Sequence, residues 1–458
     1  MTSRLLVSTS TGETRIARVD AGGLADITLL RGTQEELTGR VFIGRVQKVV
    51  PALDAAFVHV GQAEDGFLTA SAVRNEAAKQ GINRRVHEGE VMLVQALGPG
   101  GGDKGLRLTT QISLRGRYLS LQPLTPPREE DQLAPLRLRF DLPGTLTPLT
   151  KGPPEDAALL RADAESLGQR WAAIEQRRNE TELAELLDEG EPALMHAIRP
   201  MLGPDALPIA VDDAETFATL RNALAAQAPD IAALMTRHSG ADLFESSGVE
   251  ADLATALARV VPLPGGGRLI IEPTEALVSV DVDSGSGTAS DRRSNARSVN
   301  MEALTAIIRQ IRLRRLAGLI AIDFIHMRHP SDRKAVTELL EAAFIHDEIS
   351  TRLAPVPAFG LAVLNRQRAR DPLASWFLQP AADRPVWQAE AAALRLLREA
   401  ERATRTDPSR RAPRLRASPA VAAHLTRLAD SFRARTGVLP EVQADDSMAS
   451  DGGTVSTD

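Results

Sequence analysis

The chain has 458 residues, 43% of them hydrophobic, and a formal net charge of −6. That length suggests about three domains with cores of their own. The absence of cysteine excludes disulfides, thiolate metal sites and thiol catalysis, so a metal would have to sit on carboxylates or imidazoles, a donor set that suits Mg²⁺ or Mn²⁺.

No apolar run reaches the roughly 18 residues of a membrane helix. The opening MTSRLLVSTSTGETR turns polar too early for a secretory signal, and the expectation is a cytoplasmic protein. RLLVSTSTGETRIARVD and DITLLRG read as short strands. VFIGRVQKVVPALDAAFVHV alternates β-branched residues around Pro51 and is followed by DGFLTASAV, GEVMLVQALG and GLRLTTQISL. Short strands separated by glycine-containing turns predict a small barrel over 39–118. The stretch from PLTPPREED to LPGTLTPLTKGPPED reads as a linker or a reduced domain. Helices are expected over 155–178, 180–200, 213–226 and 244–260, with IAVDD as a strand.

GRLIIEPTEALVSVDVD predicts two strands with a turn near Pro273 and Thr274. Asn300 is a plausible N-cap for MEALTAIIRQIRLRRL, in which Leu304, Ile307, Ile308 and Ile311 form an apolar stripe and after which Gly318 ends the helix. LIAIDFI is then a buried strand, parallel to the one before the helix. SDRKAVTELLEAAF, 384–404 and 418–436 are helical, and the acidic tail 441–458 is expected to be disordered.

Asp281 and Asp283 are two apart on a strand and share a face, and Asp323 interrupts the neighbouring apolar strand. All three fall near the carboxyl ends of their strands, where open α/β sheets bind ligands. Carboxylates brought together repel unless a proton or a cation intervenes, so this trio could grip one divalent ion. Alternatively, Asp281 and Asp283 salt-bridge nearby arginines. Arg292, Arg293, Arg297, Arg309, Arg312, Arg314 and Arg315 crowd the following segment, either as a basic face for phosphate or as a solvated helix surface. In the barrel, Phe42, Phe57 and Phe67, with Lys104 and Arg107, offer stacking and charge for a single strand, unless all three rings are core.

LIIEPTEALVSVDVDSGSG, VNMEALTAIIRQIRLRRLAGLIAIDFIHM and FGLAVLNRQRAR closely resemble the catalytic core of the ribonuclease E/G family. FIGRVQKVVPALDAAFVHVGQAEDGFL and KGLRLTTQISLRGRYLSL resemble its inserted S1-like barrel. The resemblance implies a multidomain α/β and α+β fold. Its parts would be an RNase H-like portion in two pieces (1–38 and 191–257), an S1-like OB barrel (39–118), a reduced 5′-sensor-like region (119–190), a DNase I-like catalytic domain (258–372) and a small C-terminal domain (373–440). It implies Mg²⁺-dependent internal cleavage of single-stranded RNA, leaving 5′-phosphate and 3′-hydroxyl ends, in RNA processing or decay. Asp281 and Asp323 fall on the family's metal-binding aspartates, and Phe57 and Phe67 on its RNA-stacking aromatics.

Three departures stand out. Asp283 lies where the family has an asparagine that orients water or the scissile phosphate, which leaves a catalytically weakened RNA-binding protein as the alternative. Leu149 and Thr150 align with the family's 5′-sensing arginine–threonine pair, and Ala358 with a second sensing arginine. The CPxC zinc link is missing, so no zinc and no zinc-linked tetramer are expected, and a homodimer would need another interface.

Overall fold

The structure is a computed structural model. It describes residues 3–31, 37–74, 81–98, 105–127, 133–149, 157–181, 184–190, 192–202, 207–240, 242–285, 296–327, 329–345, 347, 349–354, 357, 360–381, 385–406 and 411–456. The chain divides into two compact units. One comprises Met1–Gly12, Ala17–Ile27 and Ser239–Asp458, and the other Glu13–Ile16 and Thr28–His238. The predicted N-terminal strands form as β1 (Arg4–Ser10), β2 (Glu13–Asp20) and β3 (Gly23–Arg31), adjacent in sequence order.

The second unit contains the barrel. Its strands are β4 (Val41–Val50), β5 (Ala55–His59), β6 (Gly66–Thr69), β7 (Val91–Gly98) and β8 (Arg107–Thr109). They run in the order β4-β5-β6-β8-β7, and β7 pairs back onto β4, closing five strands into a barrel. Alternate residues point inward, as strand geometry requires, so Phe42, Val46, Val58, Leu68, Val94 and Leu108 fill the interior. The barrel is shorter than 39–118. β9 (Leu114–Arg115) leaves it to pair with β10 (Leu119–Gln122), which pairs in turn with β11 (Thr145–Pro148). Helix α1 (Ala157–Glu180) contributes Leu167, Trp171 and Ile174 to the core beneath this small sheet, a core shared with Val41 and Ile43 of β4 and Leu93 of β7.

The helix expected over 180–200 is corrected. Strand β12 (Glu185–Asp188) comes first and pairs with β4, and helix is confined to Ala193–Ile198. Gly190, at φ 71°, and Pro192 separate the two.

In the second unit, β13 (Ile209–Val211) and β14 (Met235–Arg237) form a parallel pair. In the first unit, a six-stranded sheet is ordered Val260–Pro262, Arg268–Pro273, Val278–Asp283, Gly318–Asp323, Leu361–Arg366, Thr351–Leu353. The sheet strands are β15 (Val260–Pro262), β16 (Arg268–Pro273), β17 (Val278–Asp283), β18 (Gly318–Asp323), β19 (Thr351–Leu353) and β20 (Leu361–Arg366). β17 and β18 are parallel, as predicted, and joined through helix α2 (Ala296–Leu313). Leu304, Ile307 and Ile311 on α2 are buried against Val280, Val282, Ile320 and Ile322 of the sheet. Burying each such side chain contributes about 1.5–3 kcal/mol, and this stripe fixes the helix on one face of the sheet. Helix α3 (Pro330–Ile345) adds Val336, Leu340 and Phe344 to the same core. Helix α2 ends before Gly318: Arg315 takes a left-handed conformation, and Gly318 already opens β18.

The C-terminal region packs helix α4 (Ala389–Thr406) against helix α5 (Pro419–Thr436). The expected disordered tail is corrected, because β22 (Glu441–Ala444) and β23 (Gly453–Ser456) flank β21 (Arg414–Ala417) in a three-stranded sheet. Acidic composition misled here: Val442 and Val455 alternate inward onto the C-terminal core, and Asp445 pairs with Arg416 at 2.6 Å. Near the start of the chain, Thr11 donates its N–H (2.7 Å) and its hydroxyl to the buried carboxylate of Glu401.

Candidate active site

In the parallel ladder Asp281 lies directly opposite Asp323. Their neighbours Val280, Val282, Ile320 and Ile322 face the core, so strand alternation turns both aspartates to the opposite, open face, where both are exposed. Partial burial, then Asp323, then Asp283, push the Asp281 carboxyl above its ordinary range, against the pull of Arg268. Among the described residues neither Asp281 nor Asp323 has a side-chain hydrogen bond or ion pair.

Two adjacent, unpaired carboxylates fit Mg²⁺, which keeps several waters and takes one or two carboxylates. Among the described residues there is no group of three or more His, Asp or Glu side chains arranged to hold an ion. Of the three aspartates expected to share an ion, Asp281 and Asp323 stand in direct register.

Asp283 is engaged elsewhere. One of its oxygens accepts from Arg268 Nε (2.9 Å) and lies 2.7 Å from Nη2 in the same ion pair, and the other accepts from the Gly285 N–H at 3.0 Å. Arg268 opens β16 and lies directly opposite Asp283 in the antiparallel register. An ion pair this exposed contributes about 0–1 kcal/mol to stability. Sequence reasoning missed Arg268, although counting outward from the Pro273–Val278 pair places it opposite Asp283.

Among the described residues the arginine cluster does not form one basic face. Arg309 pairs with Asp20 at 2.8 Å and Arg312 with Asp347 at 3.1 Å. Arg315 approaches Asp26 and donates to the Ile27 carbonyl. Arg314 is buried, donates to Gln310 and the Thr255 carbonyl, and is pushed by burial down to about 10. These four are structural. Arg297 is exposed but lies 3.4 Å from Asp332. Arg292 and Arg293, like Lys104, Thr150 and Ala358, fall outside the described residues.

Asn300 does not cap a helix. It sits inside α2, fully buried, and its amide donates to the Ile325 carbonyl at 2.8 Å and accepts from the Ile325 N–H at 3.1 Å. The backbone two residues beyond Asp323 is thereby held. His326, just beyond it, is exposed.

On the barrel, Phe42 is core, whereas Phe57 and Phe67 are half-buried on the outer side. They face each other across β5 and β6 with ring centroids 5.7 Å apart in an edge-to-face pair. Phe57 is opposite Lys48 on β4, and Phe67 opposite Arg107 on β8. A transverse row therefore reads cation, ring, ring, cation. Lys48 was not singled out from sequence, because only strand register brings it there.

Comparison with known proteins bears on what such a site does. Residues 149–369 match the Ribonuclease E/G family. Ribonuclease G of Escherichia coli K12 is 32% identical over 396 residues, covering 81% of this chain and 81% of that protein. Ribonuclease G of Haemophilus influenzae is 31% identical over 81% of this chain and 80% of that protein. Ribonuclease E of Escherichia coli K12 is 30% identical over 80% of this chain but only 37% of its own length. Similarity at this level along four-fifths of this chain and of the ribonuclease G chains, together with the family match over 149–369, shows that the chain belongs to the ribonuclease E/G family.

Proposed function

We propose that this chain hydrolyses internal phosphodiester bonds of single-stranded RNA, leaving 5′-phosphate and 3′-hydroxyl ends, with Mg²⁺ held by Asp281 and Asp323. Family membership makes it an endoribonuclease acting in RNA processing. The observation that carries the metal-dependent reading is the direct register of Asp281 with Asp323, two exposed carboxylates without a protein cation of their own among the described residues.

When bound, the ion would lower the pKa of a water and offset phosphoryl charge. In the hydrolysis the water oxygen joins phosphorus, the bond from phosphorus to O3′ breaks, and O3′ leaves as the hydroxyl. The chain's own contribution is to hold the two carboxylates in register, with Asn300 fixing the backbone after Asp323. Phe57 and Phe67 supply rings on which successive bases stack, and Lys48 and Arg107 supply cations beside the backbone.

The test is incubation of the purified chain with single-stranded AU-rich RNA in Mg²⁺, in Mn²⁺ or in EDTA, beside Asp323→Asn. Internal cuts that need the metal and disappear in the variant support the proposal. Binding without cutting under all three conditions overturns it in favour of a catalytically weakened RNA-binding protein.

A further inference from the structure

We propose that Arg268 is a phosphate-binding residue of this site and that Asp283 is its positioning residue, a reading that rests on the RNA-cutting function proposed above. Arg268, Asp281, Asp283 and Asp323 occupy one face and one edge of the sheet: Arg268 is opposite Asp283, and Asp281 is opposite Asp323. The Asp283 carboxylate is committed on both oxygens, to Arg268 and to the Gly285 N–H. It is held as an anchor and has little capacity left for a water or an ion. Arg268 uses only Nε and Nη2 on that anchor, and its Nη1 has no partner among the described residues.

The guanidinium side chain is 54% exposed. A planar guanidinium fixed along one edge by a carboxylate still presents donors along another, a geometry suited to a phosphate oxygen. The pairing also neutralises the negative charge that Asp283 brings to this edge, so an approaching phosphodiester meets a cation beside Asp281 and Asp323. The ligand class is the sugar–phosphate backbone of single-stranded RNA next to the scissile bond.

The test uses the full chain with Arg268→Ala, Arg268→Lys, Asp283→Asn, the Arg268→Ala/Asp283→Asn double variant and Asp323→Asn. Affinity for a fluorescent single-stranded RNA is measured by anisotropy in EDTA, and KM and kcat for cutting are measured in Mg²⁺. Arg268→Ala is expected to weaken metal-free affinity about fivefold or more and to raise KM in step, the loss expected for one charge-assisted phosphate contact. Arg268→Lys should recover only part, because lysine cannot hold the anchor and the phosphate together. Asp283→Asn should move affinity in the same direction, and adding it to Arg268→Ala should cost nothing more, as for two residues acting as a unit.

Unchanged metal-free affinity and KM in both Arg268 variants would overturn the proposal. So would an Asp283→Asn loss of kcat that persists in full on the Arg268→Ala background, which would give Asp283 a direct role. Asp323→Asn separates the two readings: cutting that continues undiminished there removes the Asp281–Asp323 metal site as its source, while the EDTA affinities still decide the fate of Arg268.

Discussion

The side-chain amide of Asn300 holds both main-chain groups of Ile325, one as donor at 2.8 Å and one as acceptor at 3.1 Å. A fully buried amide thus substitutes for a strand partner where β18 has ended, and it fixes the exit of the chain that carries Asp323.

Removing that amide strands two backbone groups. Asn300→Ala is expected to cost about 1–3 kcal/mol in urea unfolding, the penalty for unsatisfied buried polar groups. Cutting at a temperature well below the transition should fall as well, since the backbone after Asp323 loses its tether. Unfolding curves superimposable on the parent would refute the clamp.

The barrel row makes a separable prediction. Phe57→Ala and Phe67→Ala should each weaken single-stranded RNA binding by about 1–3 kcal/mol while leaving far-ultraviolet circular dichroism unchanged, because both rings lie outside the barrel core. Lys48→Ala and Arg107→Ala should instead flatten the salt dependence of binding, each removing about one counterion's worth of slope. Equal salt slopes in parent and variants would exclude both cations from the backbone path.

Acid stability should report on Asp347. Burial alone would raise its carboxyl, but the bonds from Arg366, from the Ile349 N–H and from Arg312 outweigh burial and hold it below the ordinary range. A depressed folded-state pKa contributes stability that is full above the unfolded value and lost as pH falls through the folded one. Asp347→Asn, which leaves the buried Arg366 without its carboxylate, should cost about 3 kcal/mol near neutrality. The gap between parent and variant should hold down to about pH 4 and close below it. A gap that grows on acidification would contradict the assignment.

The 5′ end of the substrate should matter little. Leu149, expected from the resemblance to stand where the family has a sensing arginine, is half-buried just after β11, its N–H goes to the Tyr118 carbonyl at 2.7 Å, and leucine offers no charge to a terminal phosphate. Matched RNAs carrying a 5′-monophosphate or a 5′-hydroxyl should be cut at rates within about twofold of each other, given the loss of charge-assisted contacts. A large gain on phosphorylation would show a sensor elsewhere in the chain.

Much of this site was legible in the sequence. The alternation around Asp281 and Asp323 and the i, i+3, i+4, i+7 stripe on α2 are local patterns, and both placed the carboxylates on one sheet edge. What escaped was set by register or by distant packing. Arg268 and Lys48 reach their partners only across paired strands. Asn300 satisfied the local rule for a cap, but α2 begins before it, and the amide's partner lies 25 residues away. The C-terminal strands were hidden by acidic composition, because two inward valines suffice when a preformed core is there to receive them.

The bond between Thr11 and Glu401 spans 390 residues of chain. During synthesis, the opening strands leave the ribosome long before the helix that supplies this carboxylate exists. Their closing contact waits until the chain has been translated past residue 401, whereas the barrel can close as soon as its own five strands emerge. Maturation of the acidic-sheet unit is therefore a late event with a costly long-range closure. Interrupted translation would release nascent chains with a finished barrel and an unfinished acidic-sheet unit.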